Sequence, residues 1–427
     1  MHVTVQSYMN NLSPELLEMI LTSAINYVGI SPGILHSVHP KWRNSLLNCY
    51  KKRPFPLHMS SITTLSLLKW AYTNGCPWNS RTCSYLARTG NLSMLRYART
   101  NNCTWDKFVC SEAAKSGHLK VLQWAHANGC DWDEDTCSEA ALGGHLEVLQ
   151  WAHSNGCDWD DDTCAYAAGG GHLEVLQWAR ANGCSWNEYT CTEAARDGHL
   201  EVLQWARANG CLWDEETCSF AAYGGHLEVL QWARAQNPPC PWNTITCSNA
   251  AYSGQLEVLQ WARDNGCPWD TFVCSNAARF GNLEVLKWAH ENNCPWNEQT
   301  CAKAALVGHL EALQWARSND CPWDSHTCSS AAYNNYLEVL QWARANDCPW
   351  DERTCSNAAR GGHLEVLQWA HANGCPWDED TCTGAAKEGR LEVLQWARAN
   401  GCPWDKYTCL SVAALKHVCI SEWIIKI

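Results

Sequence analysis

No stretch of this chain approaches the about 18 consecutive apolar residues that a membrane-spanning helix needs, so no membrane partner is expected. The opening residues "MHVTVQSYMNN" lack a basic start followed by an apolar run, so a secretory leader is not expected either. Clustered Lys and Arg are missing as well. The chain has 31 basic against 44 acidic side chains, a formal net charge of −13, with carboxylates gathered at Asp158, Asp160, Asp161 and Asp162. Nucleic acids and anionic membranes both call for basic patches, so a nucleic-acid partner is not expected. The phosphate-loop, nucleophile-elbow and helical zinc-protease motifs are absent, and histidines and carboxylates merely recur with a fixed period. No enzyme, catalytic residue or cofactor is therefore expected. Without a secretory route the 28 cysteines should stay reduced, which implies an intracellular, cytoplasmic chain.

What the sequence does hold is a repeat. Trp70, Tyr97, Trp124, Trp151, Trp178, Trp205, Trp232, Trp261, Trp288, Trp315, Trp342, Trp369, Trp396 and Trp423 follow one another at steps of 27 residues, except for 29 between Trp232 and Trp261. A second Trp, in a C-x-W element, recurs thirteen times from Trp78 to Trp404. The two series and Trp42 account for all 27 tryptophans, and two cysteine ladders leave only Cys49 and Cys419 over. Such a period is the signature of a solenoid, here of about 13 units.

The unit Asp351 to Trp377, "DERTCSNAARGGHLEVLQWAHANGCPW", reads as two short helices. Asp351 is a favoured N-cap, and Cys355, Ala358 and Ala359 form one apolar stripe. Gly362 ends the first helix; the second carries Leu364, Val366, Leu367, Trp369 and Ala370 and closes at Asn373-Gly374. The fold class expected is all-α, a solenoid of stacked helix pairs with Leu and Trp filling the layer between units. Thirteen layers at roughly 8–10 Å between helix axes predict a body on the order of 100 Å long. The cysteines could be packing residues, disulfides or metal ligands. Their C-x6-C spacing is not that of zinc modules, and the His of the G-H element is replaced by Gln255, Asn282, Tyr336 and Arg390. Burial as small hydrophobes fits best, and no metal is expected. The "ARAQNPPCPW" junction, Ala233 to Trp242, carries two extra residues and two prolines, and predicts an outward bulge with stacking continued around it.

The stretches Ala358–Cys375 and Ala194–Cys211, with their G-H-L-E-V-L turn, resemble the ankyrin repeat, and "TCSNAA" stands where that repeat begins its first helix. The units are shorter than the ankyrin length of about 33 residues, and the missing segment falls at ankyrin's projecting β-hairpin finger. The Trp- and Cys-rich variety looks like ankyrin-type proteins of giant DNA viruses and some protists, which would place it in a host cell's cytoplasm. The resemblance implies protein–protein interaction with a target not named by the sequence; a monomer is expected.

Which face would bind follows from variation inside the chain. The residues just before and just after Ala-Ala change freely and lie three apart on one side of the first helix. The residue ahead of the T-C element also varies, as Tyr189, Ile245, Phe272, Gln299 and His326. Packing positions cannot vary so. Either this is drift on a solvated surface or it is a target-binding face, with Tyr166, Glu193, Arg196, Phe220, Tyr223, Tyr252, Arg279, Tyr333 and Arg360 as candidates.

Residues 1–58 do not fit the repeat, which occupies 59–427. "LSPELLEMIL" from Leu12 and "VHPKWRNSLL" from Val38 resemble the two helices of an F-box. Leu12, Pro14, Leu16, Leu17, Ile20, Leu21, Val38 and Trp42 match its adaptor-binding pattern, whereas His39-Pro40 departs from it. The resemblance implies docking on a Skp-type adaptor, making the chain a substrate-recruiting adaptor of a cullin-type ubiquitin ligase. The alternative is a binding-only scaffold whose N-terminus simply caps the array, as a solenoid requires.

Overall fold

The computed structural model describes residues 64–73, 78–414 and 417–426, so the F-box-like stretch from Leu12 to Trp42 lies outside the described residues. Among the described residues there are 27 α-helices of eight to ten residues and no strand. First helices of the T-C-x-x-A-A kind alternate with second helices of the L-E-V-L-Q-W-A kind, and the stacked pairs form a repeat solenoid. The chain divides after Trp186 into two compact units, each of which is built the same way.

Most first helices start where the sequence places a carboxylate or amide; helix Phe108–Lys115, which follows Lys107, is an exception. Asp351 has extended backbone and its side chain accepts a hydrogen bond from the N–H of Arg353 at 3.1 Å. Asn187, Asp214, Asn243, Asp270 and Asp324 do the same in their own layers. A cap of this kind is worth about 1 kcal/mol, a sizeable sum over helices too short to persist alone. Gly362, at φ +83°, closes the first helix Glu352–Gly361 in the left-handed region that favours glycine.

The G-H element is explained by the next unit. The Nε2 of His145 lies 3.1 Å from the carbonyl of Lys115, thirty residues earlier, and its ring rests against Gly117. A Cβ on Gly117 would sit 2.6 Å from that ring. The glycine therefore serves the following unit's histidine as much as its own turn. At two of the positions where the histidine is replaced the staple survives in other chemistry: Asn282 donates to the carbonyl of Tyr252 at 3.0 Å, and Arg390 to that of Arg360 at 3.3 Å.

The core is made of small residues and leucine. Cys355, Ala358, Ala359, Leu367 and Ala370 are fully buried, and their counterparts in other units are alike. Every described cysteine is a free thiol, and all but Cys419 are buried. The thiol of Cys211 donates to the carbonyl of Asn187 at 3.2 Å, and that of Cys157 to Asp133 at 3.2 Å. The second ladder thus ties the turn after each second helix to the cap residue of the same layer. The two ladders meet inside each unit: a hydrogen bond with Cys211, then burial, pushes the Cys191 thiol well above its usual range. Among the described residues no group of three or more His, Cys, Asp and Glu could hold a metal ion.

The tryptophans do not fill the core as the sequence suggested. Trp269, Trp288 and their counterparts among the described side chains are only half-buried. Successive first helices within a unit pack closely, whereas successive second helices scarcely touch. The wider gap at the second-helix end is filled by Trp edges in a column open to solvent. Trp269 and Trp288 meet edge to face at 5.8 Å, and the guanidinium of Arg263 stacks on Trp269 at 4.0 Å while donating to the carbonyl of Cys267. In other layers a histidine takes that place, as His290 on Trp296 at 3.9 Å.

At the long junction the second helix Leu227–Ala235 ends before Gln236, and Pro238 and Pro239 are exposed. Cys240 still receives Arg234 on its carbonyl and still donates its thiol to Asp214 at 3.3 Å. The two extra residues loop outward, and the ladder on either side is kept.

Candidate binding face

The first helices turn one stripe outward. In the unit that begins at Asn187, three neighbouring first helices, Glu215–Gly224, Thr244–Tyr252 and Thr271–Arg279, bring aromatic rings together there. Phe220 and Tyr223 have ring centroids 6.4 Å apart, Tyr223 and Tyr252 5.6 Å, and Tyr252 and Phe280 3.9 Å, in tilted or edge-on geometry. Arg279 lies over Phe280 at 5.2 Å. Beneath the rings, Asn249 donates to the carbonyl of Ser219 at 3.2 Å and Asn276 to that of Ser248 at 3.4 Å, which locks the helices side by side.

Four of the candidates, Phe220, Tyr223, Tyr252 and Arg279, therefore form one cluster. Tyr333 and Arg360 are exposed on the same stripe, but helix Glu298–Leu306 separates them from the rings. Arg360 leans over the next first helix, where a Cβ on Gly384 would meet its Cγ at 2.7 Å. Arg196 is held by Glu193 at 2.5 Å and by Asp197 at 3.0 Å; the Asp197 hydrogen bond and both carboxylates raise its pKa, leaving it less free to meet a partner. Tyr166 is exposed but belongs to the other unit. Phe280 was missed. It stands one residue beyond the varying positions, where other units have Gly170, Asp197 or Ser253, and an aromatic at a turn position otherwise small or polar was the available signal.

The Trp column offers a different concave feature, repeated rather than singular. A notch of about 490 Å³ is lined by Arg96, Arg99, Thr100, Trp105, Trp124 and Asn128. One of about 310 Å³ is lined at the equivalent positions by Gln341, Arg344, Ala345, Trp350, Trp369 and Asn373. In both, the stacked arginine is already committed to a Trp face and a Cys carbonyl. No helix among the described residues is long and apolar enough to cross a membrane.

No family model and no curated protein matches the chain. Among solved structures it is similar to the pentatricopeptide repeat protein PPR10 in complex with an 18-nt psaJ RNA element, with TM-score 0.35 and 13% identity over 100% of this chain and 78% of that one. A cysteine-substituted PPR10 with the same RNA gives the same values. The human ASB11 ankyrin repeat domain is similar over 37% of this chain and 84% of its own, with TM-score 0.30 and 19% identity. The expectation that a nucleic-acid partner is excluded is corrected here, since RNA-bound repeat proteins stand among these similar structures. The exclusion rested on a net charge summed over the whole chain, and such a sum does not describe any one face. On the first-helix stripe, Lys303, Arg353, Arg360 and Lys387 recur along one run of helices.

Proposed function

We propose that the chain is a binding scaffold that holds a protein target on its first-helix face and performs no chemistry itself. The observation that carries this reading is the linked ring cluster of Phe220, Tyr223, Tyr252 and Phe280, with Tyr223 and Tyr252 exposed and the two Phe rings half-buried, on an array whose packing positions barely change. Tyrosine, other aromatics and arginine are the side chains on which interfaces concentrate their binding energy. We further propose that residues 1–58 dock on a Skp-type adaptor, with 59–427 as the target-holding array, so that a bound target is presented for ubiquitin transfer in the cytoplasm. The support is the match of Leu16, Leu17 and Trp42 to the F-box pattern.

Two variants of the full chain test the two halves separately. Tyr223→Ala with Tyr252→Ala should abolish capture of cellular targets while leaving the helical signal intact. Leu16→Ala, Leu17→Ala and Trp42→Ala together should abolish co-purification with a Skp-type adaptor and leave target capture alone. If the wild type takes up no adaptor where an established F-box protein does, the N-terminal residues are only a cap and the ligase role falls.

A further inference from the structure

The binding face carries more than its rings, and what it carries specifies the partner. On each first helix the outward positions recur at i, i+4 and i+7, a single stripe. At the start of that stripe Ile245 and Phe272, at equivalent positions of adjacent helices, are 52% and 63% exposed. They add apolar surface at the other end of the stripe from Tyr252, itself 37% exposed, with Asn249 and Asn276 between.

Toward the C-terminal end of the array the stripe changes character. Over the four first helices from Glu298–Leu306 to Glu379–Lys387 it bears Lys303, Arg353, Arg360 and Lys387 against one carboxylate, Asp380. None of the four cations forms an ion pair with a carboxylate among the described residues, although the chain is acidic overall. Arg353 instead has its guanidinium 3.2 Å from the Nε2 of His326, whose Nδ1 is 2.9 Å from Asp324, so the nearest carboxylate is one ring removed.

Resting on the protein-scaffold reading above, we propose that the partner is a polypeptide segment with two halves, one apolar and one rich in Asp and Glu. The apolar half seats on Ile245, Phe272, Tyr223 and Tyr252, and the acidic half runs along Lys303 to Lys387. Charge complementarity assigns the second half, because unpaired cations beside a hydrophobic patch lower the free energy of an acidic segment and repel a basic one. A peptide is favoured over single-stranded RNA by the patch itself. Ile245 has no face on which a base can stack, and the rings lean on one another at 39° and 46° instead of standing open in parallel. Seven first helices spaced by roughly 8–10 Å are spanned by an extended segment of about 16 residues.

The test is selection of a random peptide library, about 16 residues long, on the full chain, with each pool re-bound to two variants. The expected result is enrichment of peptides joining apolar and acidic runs. Their affinity should fall at least tenfold with Arg353→Glu plus Arg360→Glu, and likewise with Ile245→Ser plus Phe272→Ser. Enriched peptides that lack acidic runs, yet depend on Ile245 and Phe272, overturn this proposal and leave the scaffold reading standing. Peptides indifferent to both variants, or no enrichment at all, count against both readings. A 20-nucleotide single-stranded RNA that binds wild type but not the Arg353→Glu, Arg360→Glu variant overturns it in favour of nucleic acid.

Discussion

The Trp column and the first-helix stripe are both half-exposed, both aromatic and both repeated, yet they differ in what changes from unit to unit. In the column, Trp269 with Arg263 in one layer and Trp296 with His290 in another keep nearly the same geometry. On the stripe, Ile245, Phe272, Gln299, His326 and Arg353 occupy equivalent places. Sameness marks the side chains that each layer needs in order to stack. Difference marks positions that stacking leaves free, and only there can one array acquire a partner of its own.

The comparison is sharpest where a residue common to all units is removed. Leu259→Ala, at a fully buried position, should destabilise its unit by about 2–5 kcal/mol in chemical denaturation, through lost burial and the cavity left behind. Trp269→Ala should cost less, about 1.5–3 kcal/mol, because the ring is only half-buried and its arginine remains hydrogen-bonded to Cys267. A loss as large as that of Leu259→Ala would show that the column belongs to the core after all. His145→Ala removes one inter-unit staple and should cost about 0.5–1.5 kcal/mol. His145→Asn should recover part of this, since Asn282 makes the same bond in its own layer. Equal losses for the two would mean that the ring's packing on Gly117 matters and the hydrogen bond does not.

The smallest effect concerns charge. Burial first, then Asp160, Asp161 and Asp135, raises the Asp162 carboxyl above its ordinary value of 3.8. The folded chain then holds that proton more tightly than the unfolded chain, so ionising Asp162 costs stability and the cost disappears as pH falls through the carboxylate range. Asp162→Asn should stabilise its unit at pH 7 by no more than about 0.5 kcal/mol, the side chain being exposed, and the gain should fade as pH falls through the carboxylate range and vanish below pH 3.8 in thermal melts.

Much of this was legible in the residues. The 27-residue period, the Asp or Asn caps, the Gly at Gly362 and the Ala-Ala stripe each follow from local chemistry, and the structure places them as read. The tryptophans were misread because apolar character reports the tendency to be buried and says nothing about how far apart second helices stand. The role of G-H was hidden because its partner lies in the next unit, as with His145 and the carbonyl of Lys115. At the candidate face, Phe220, Tyr223, Tyr252 and Arg279 were found by their variation. Phe280 was not, because it lies one position outside the pattern being compared, and the run of unpaired cations was averaged away in a net charge of −13.

The central claim is that what repeats holds the array together and what varies binds. The most direct test puts the Ile245→Ser, Tyr252→Ala variant and the Trp269→Ala variant side by side, measuring melting temperature and retention of the peptide pool enriched on the wild type. The account predicts that the first keeps its melting temperature and loses the pool, while the second melts earlier and, below its transition, retains it. A Trp269→Ala chain that stays folded but releases the pool, or a stripe variant that keeps it, would contradict the account.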